Sequence, residues 1–161
     1  MWSHSRIKLP ALQEYVCLCE GPSLGPVGSE GVIDSPLLTK EVDGASRSEV
    51  SDLGREAVTK YSVIARYHPP IQSNWEVFLL AIQLKTGRTH QIRVHMASID
   101  CPLAGDMTYG RKDKSGVLQC PRLFLHCRRI CLLDIEDALF SAEADLPQDL
   151  ASFLATLDPI S

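Results

Sequence analysis

The chain has 161 residues, of which 45% are hydrophobic and 22% are charged, and its formal net charge at pH 7 is -4. This length suits one domain with its own core, and the composition is ordinary for a globular protein. The acidic balance argues against a protein held to nucleic acid by its overall charge, but it allows a local basic groove.

The first predicted element is a strand over residues 14–20, which is rich in β-branched, aromatic and small side chains and is closed by Gly21 and Pro22. Residues 21–57 follow with six glycines among many serines, prolines and charged residues. This composition predicts a long loop with one short extended piece over residues 31–37 and the greatest mobility over residues 41–52.

Two more strands are predicted next. Residues 57–67 alternate as a half-buried strand does, and residues 75–84 form an apolar run, so we expect them to pair in antiparallel fashion. A further apolar strand is predicted within residues 121–133, followed by an acidic loop over residues 136–145. Residues 146–157 predict an amphipathic closing helix, whose apolar face is Leu146, Leu150, Phe153, Leu154 and Leu157.

The stretch from Leu84 to His95 holds the densest set of side chains able to do chemistry. Gly87 allows a sharp turn after the strand, and Thr89 is the predicted N-cap of a short helix. Apolar residues recur at helical spacing and are expected to face the core; they are Ile92, Met96 and Ile99. Arg93 lies off that stripe and is predicted to point into a cleft.

This stretch is also cationic. There is no Asp or Glu between Val77 and Ile99, so Lys85, Arg88 and Arg93 have no acidic partner nearby in sequence. His90 and His95 could add further positive charge. Cations beside a helix start favour an anion-binding site, and the alternative is a solvated cationic helix end whose acidic partners are distant in sequence.

The six cysteines do not predict a metal centre. Cys120, His126, Cys127 and Cys131 suggest zinc ligands, but their spacing lacks the paired pattern of zinc sites and no second pair exists. We interpret the cysteines as small buried thiols, kept reduced because residues 1–6 lack the apolar centre of a secretory signal. No apolar run is long enough to span a bilayer.

The sequence TGRTHQIRVH at residues 86–95, followed by PLAGD at 102–106 and Tyr109-Gly110, resembles the RluA-type RNA pseudouridine synthases. A weaker resemblance extends upstream to Tyr15 and downstream to the C-terminal helix. It implies that residues 1–161 are part of that family's catalytic domain, with a flexible insertion at about residues 38–56.

The resemblance implies an α+β fold with a mixed, mainly antiparallel sheet flanked by helices. It also implies isomerisation of uridine to pseudouridine in rRNA or tRNA, in which the base is detached, rotated and rejoined to the ribose through carbon. The target base must first be extruded into a pocket. The expected partner is RNA, and the protein is expected to be a monomer inside the cell, with no cofactor, metal or membrane.

The family's functional residues map onto this chain by their motifs. The catalytic tyrosine maps to Tyr15 and the catalytic arginine to Arg93, whose planar cation would orient a carboxylate. The residues implied for substrate binding are Lys85, Arg88, Thr89, His90, Gln91 and Leu125. Without the resemblance, Tyr15 would be an ordinary strand tyrosine, and Leu125 is equally well explained as a core leucine.

The family's nucleophilic aspartate has no match here. In the family it lies in a His-Arg-Leu-Asp block upstream of the tyrosine, whereas residues 1–14 contain no aspartate. Asp106 belongs to a Gly-Asp turn that the family uses structurally. Three hypotheses follow: part of a longer enzyme, a noncatalytic RNA-binding module, or an inactive truncated copy with open sheet edges.

Overall fold

A computed structural model of the chain describes residues 12–68, 76–111, 118–134, 136 and 138–160. Its elements in chain order are β1 (Leu12–Gly21), β2 (Glu30–Ile33), β3 (Leu37–Val42), β4 (Ala45–Val50), β5 (Thr59–Tyr67), β6 (Glu76–Leu84), α1 (Gln91–Ser98), β7 (Leu125–Leu133), β8 (Leu139–Glu143) and α2 (Gln148–Leu154). The predicted start of the apolar strand at Trp75 lies outside the described residues.

One six-stranded sheet organises the fold, in the order β2-β5-β6-β1-β7-β8. Every strand pair in the described residues is antiparallel, including the predicted pair β5–β6. The two central strands, β1 and β6, pair continuously from Glu14↔Gln83 to Gly21↔Glu76. Their apolar sequences fit this central position, because such strands are covered on both faces.

Each face of the sheet is covered by one helix. Cys17 and Cys19 of β1 point to the side where Ile92 and Met96 of α1 are buried. The alternate residues of β1 point to the other side; Val16 and Leu18 pack there with Leu150 of α2. The apolar faces predicted for both helices are therefore confirmed, and so is the α+β fold with a mainly antiparallel sheet.

The long loop predicted over residues 21–57 contains three strands, β2, β3 and β4. β3 and β4 form a separate two-stranded hairpin with the register Val42↔Ala45. The two residues that join them, Asp43 and Gly44, both have positive φ, of 52° and 74°. An Asp-Gly pair with this geometry suits the tight type I′ turn that joins hairpin strands, and this signal was missed among the surrounding polar residues.

A second correction concerns residues 136–145, where an acidic loop was predicted. Leu139–Glu143 forms the edge strand β8 and pairs with β7. All five of its residues are exposed, so burial imposed no alternating pattern on its sequence. The ion pair between Glu143 and Arg129 of β7 shows why an acidic residue suits this edge.

Only some of the cysteines are buried. Cys17, Cys19 and Cys101 are buried, but Cys127 is exposed on β7, so the interpretation of all six as buried thiols was wrong. In the described part of the chain no three His, Cys, Asp or Glu residues cluster as metal ligands would. Nor does any helix there have the length and apolar character needed to cross a membrane.

Candidate active site

Helix α1 starts differently from the sequence prediction. Its N-cap is His90, in the left-handed conformation with φ 55°, and no side chain caps the helix by a hydrogen bond. Thr89, the predicted N-cap, is exposed. The turn thus places the unusual backbone conformation at a histidine, and Gly87 is not among the residues with positive φ.

The side chain of Gln91 fixes this turn to the sheet. Its Oε1 accepts hydrogen bonds from the Thr86 hydroxyl at 2.9 Å and from the Arg88 backbone amide at 3.0 Å. Its Nε2 donates to the Val58 carbonyl at 3.1 Å and to the Thr59 hydroxyl at 3.0 Å. Because a buried amide with all these partners is rigidly held, Gln91 positions the neighbouring residues.

Arg93 has an acidic partner that is distant in sequence. Its Nε and Nη2 donate to the two carboxylate oxygens of Asp106, each at 2.7 Å. The Asp106 side chain is fully buried and also accepts the backbone amides of Thr108 and Tyr109. This bidentate pair fixes the plane of the Arg93 guanidinium.

The charge state of Asp106 follows from these contacts. Burial opposes ionisation, but the hydrogen bonds from Arg93 and from the amides of Tyr109 and Thr108 hold the pKa of Asp106 below its usual range. The carboxylate therefore stays charged at neutral pH and keeps Arg93 in place. With no exposed oxygen it is a structural partner of the arginine.

Tyr109 packs against Arg93 on another side. The Arg93 Cζ lies 4.9 Å from the centroid of the Tyr109 ring, within the range of a cation–π contact. The Tyr109 hydroxyl accepts the Ser48 backbone amide at 2.9 Å and lies 3.0 Å from His90 Nδ1. This arrangement lets the hydroxyl donate its own proton to Nδ1 of a neutral His90.

Neither histidine of the stretch supplies the positive charge considered from the sequence. Burial lowers the pKa of His90, and the nearby guanidinium groups of Arg93 and Arg47 lower it further. Burial also lowers the pKa of His95. Both rings are therefore neutral at pH 7, and the arginines provide the local charge.

His95 is a structural histidine. Its side chain is fully buried, with Nδ1 2.9 Å from the Thr59 hydroxyl and Nε2 2.9 Å from the Ser35 carbonyl. Since a carbonyl only accepts hydrogen bonds, Nε2 carries the proton and donates it, while Nδ1 accepts from Thr59. This ring links α1 to the start of β5 and to the loop before β3.

The burial of His95 predicts that the protein loses stability in mild acid. Its folded pKa lies below the unfolded value near 6.5, so its contribution is complete above about pH 6.5 and is lost as the pH falls toward the folded pKa. The free energy of unfolding should fall by up to about 1.4 kcal/mol per pH unit in this window. Urea unfolding between pH 7 and 5 measures this change in the free energy of unfolding.

His95→Gln should flatten the pH dependence of stability, and exposed His68→Gln should not. Equal slopes of stability against pH in the native protein and both variants would contradict this assignment.

One cavity of about 320 Å³ brings together most of the predicted site residues. It opens between the start of α1, the end of β6, Tyr15 of β1 and the start of β7. Its lining consists of Tyr15, Leu84, Arg88, His90, Gln91, Ile92, Arg93, Leu123 and Leu125. A volume of this order can hold a nucleobase and its sugar.

Tyr15 and Leu125 form the sheet side of this cavity. The Tyr15 hydroxyl donates to Gln13 Oε1 at 3.0 Å, and burial, together with Cys127, raises the pKa of the phenol. Leu125 packs against the hydrophobic core and also lines the cavity, so it is both a core leucine and part of the cavity wall. Lys85 and Thr89 are exposed and are not among the lining residues.

Sequence reasoning missed two features that shape the site. One is the pairing of Asp106 with Arg93, and the other is the set of contacts that Tyr109 makes. Both belong to motifs that carry the resemblance, so their residue types were visible. Their contacts were not, because Asp106 lies 13 residues beyond Arg93, and Tyr109 meets Ser48 across 61 residues.

Comparison with known proteins adds a family match. Residues 11–98 match the model of the RNA pseudouridylate synthase family. An uncharacterized RNA pseudouridine synthase of Aquifex aeolicus is 47% identical over 85 residues, covering 53% of this chain and 25% of that protein. The ribosomal large subunit pseudouridine synthase D of Nitrosomonas europaea is 34% identical over 140 residues, covering 83% of this chain and 38% of that protein.

Solved structures agree on the fold. The human RNA pseudouridylate synthase domain containing 1 superposes with a TM-score of 0.73 at 23% identity, covering 94% of this chain and 60% of that one. The human RNA pseudouridylate synthase domain containing 4 superposes with a TM-score of 0.63 at 24% identity, covering 92% of this chain and 63% of that one. The chain thus spans between a quarter and two fifths of the two curated relatives above.

Proposed function

Since this chain belongs to the RluA-type family of RNA pseudouridine synthases, we propose that it takes part in isomerising uridine to pseudouridine within an RNA. The observation that carries this proposal is the cavity in which Tyr15, Leu125 and an immobilised Arg93 lie together. A uracil base lies over Tyr15 and Leu125, with Arg93 at its edge. The cationic residues beside it, Arg88 above all, meet the RNA backbone.

The proposed reaction breaks the bond from the ribose C1′ to N1 of uracil and forms one from C1′ to C5; the proton on C5 is then lost and N1 gains a proton, so that the product is an isomer of uridine. In this family a carboxylate supports the detachment of the base. Within the described residues Nη1 of Arg93 has no hydrogen-bond partner, so it is the atom that can bind and orient such a carboxylate. We assign to Tyr15, on the sheet side of the cavity, the relay of the C5 proton through its neutral hydroxyl, which donates to Gln13 Oε1.

A second candidate function is RNA binding without catalysis. The carboxylate paired with Arg93 is Asp106, which is fully buried and makes four hydrogen bonds to protein groups, so it does not reach a substrate. A module of this kind would keep a salt-dependent affinity for RNA. It would release no proton from C5 of uridine, which separates the two functions.

The test measures tritium release from RNA labelled at C5 of uridine, with RNA affinity measured in parallel. An intact enzyme that contains this chain together with the family's aspartate is expected to release tritium. Tyr15→Phe should lower the turnover about a hundredfold, the size of a lost proton-transfer group, and should change the RNA affinity much less. Tyr61→Phe is the matched control. Tyr15 of β1 and Tyr61 of β5 both pair with Ile82 of β6, one on each side of that strand, but Tyr61 does not line the cavity.

The outcomes distinguish the alternatives. RNA binding without tritium release by the native protein would favour the noncatalytic module. An equal loss of affinity and turnover in Tyr15→Phe would remove Tyr15 from the chemical step and leave it as a binding residue. A native protein that does neither would overturn both functions.

A further inference from the structure

A second cavity, of about 450 Å³, lies beside the candidate active site. It opens between the base of the β3–β4 hairpin and the turn that precedes α1. Its lining consists of Leu37, Leu38, Thr39, Leu53, Arg55, Gly87, Arg88 and Thr89. Arg88 lines both cavities, so the two adjoin at this residue.

The walls of this second cavity are fixed by main-chain contacts. Leu37 and Arg55 exchange two backbone hydrogen bonds, of 2.9 and 2.8 Å. Gly54 packs so closely on Leu37 that a Cβ there would lie 2.3 Å from the Leu37 carbonyl carbon. On the other side, Arg88 Nε donates to the Glu56 carbonyl at 2.9 Å, which joins the two walls. The cavity is therefore formed before any ligand binds.

The charge of the cavity is positive and uncompensated. None of its lining residues is acidic. Across the described part of the chain, the Arg55 side chain makes no hydrogen bond or ion pair, and Arg88 uses only its Nε. Two arginines thus line the same cavity, and within the described residues their terminal guanidinium nitrogens have no hydrogen-bond partner, an arrangement that suits a phosphate.

Apolar side chains complete the lining. Leu37 is buried at its base, whereas Leu53 is 86% exposed at its edge. A sugar and a base can contact Leu38 and Leu53 while the phosphate lies between the arginines. A free phosphate ion would leave this apolar surface unused, so the lining favours a nucleotide over an inorganic anion.

We propose that this cavity binds the nucleotide next to the target uridine in the RNA strand, with its phosphate between Arg55 and Arg88. The inference rests on the proposed function, since it takes the first cavity as the site of the target base. Extruding a base costs unstacking free energy, and a fixed neighbouring phosphate would help to hold the strand in register. Arg88, between the two cavities, would contact the phosphate that joins the two nucleotides.

The test compares the affinities of short single-stranded RNAs by fluorescence anisotropy. In one series the RNA ends at a single uridine. In the other two series the RNA carries one more nucleotide, on either the 5′ or the 3′ side of that uridine. The native protein should gain affinity from the extra nucleotide on one side. Arg55→Ala should remove that gain, a loss of about fivefold at 0.1 M salt, and reduce the slope of log affinity against log salt by about 0.7.

The control is Lys40→Ala, which removes a cation from the same hairpin. Lys40 pairs with Glu49 and does not line the cavity, so this variant should keep the gain. If Arg55→Ala keeps the gain, or if Lys40→Ala loses it equally, the subsite is refuted while the proposed function stands. If the native protein binds none of the RNAs in a salt-dependent way, the proposed function fails as well.

Discussion

In an intact enzyme that contains this chain, the proposed function predicts that Arg93→Ala lowers uridine isomerisation about a thousandfold and lowers the free energy of unfolding by about 3 kcal/mol. The loss of stability arises because Asp106 would remain as a fully buried carboxylate without its cation, and breaking a buried pair in this way costs about 3–5 kcal/mol. The loss of turnover, about a thousandfold, reflects the removal of a fixed charge from the reacting site. Urea unfolding and tritium release measure the two effects.

Two variants separate these effects. Arg93→Ala combined with Asp106→Asn removes the buried charge while a side-chain oxygen still accepts the amides of Thr108 and Tyr109, so stability should recover in part and turnover should not. The matched control is Arg122→Ala, which breaks an arginine pair of similar geometry with Asp149 at the surface. Because exposed pairs contribute little to stability, this variant should change the free energy of unfolding far less than Arg93→Ala does.

Near-normal turnover in Arg93→Ala would refute the assigned role of the arginine. A recovery of turnover together with stability in the double variant would show that Arg93 acts only by holding the fold together. Arg93→Lys adds a test of geometry. Lysine keeps the charge but loses the bidentate contact, so this variant should retain stability better than turnover.

The sequence predicted the parts of the fold that have a strong apolar pattern. The strand pair β5–β6 and the apolar face of α2 were both visible, because alternate or helically spaced side chains must be buried. The fold class came from the family resemblance, which depends on a contiguous motif. Strand β8 was missed because an exposed edge strand carries no burial pattern, and the β3–β4 hairpin was missed although Asp43-Gly44 marks its turn.

For the candidate site, the sequence and the resemblance named residues but not their geometry. Six of the eight predicted residues line one cavity, whereas Lys85 and Thr89 do not. The sequence correctly placed Arg93 off the apolar stripe of the helix. It could not show that Asp106 meets this arginine, because that contact depends on a turn whose path is set by packing against distant residues.

The second large prediction concerns the turn that carries Asp106. Gly105→Ala should lower the free energy of unfolding by about 3 kcal/mol. Gly105 has φ 73°, which costs an alanine about 1–2 kcal/mol. A Cβ there would also lie 2.2 Å from the Arg122 carbonyl oxygen, and relieving such overpacking costs a further 1–3 kcal/mol or so. Because Gly105 directly precedes Asp106, the same shift should loosen Arg93 and lower turnover.

Gly44→Ala is the control for this experiment. Gly44 has nearly the same φ, 74°, but a Cβ there would meet nothing within 4 Å, so the variant carries only the backbone cost of about 1–2 kcal/mol. The difference between the two variants in urea unfolding isolates the contact with Arg122. If both variants lose the same stability, close packing at Gly105 does not hold the turn, and the position of Asp106 depends instead on its hydrogen bonds, including those that its carboxylate accepts from Arg93, Thr108 and Tyr109.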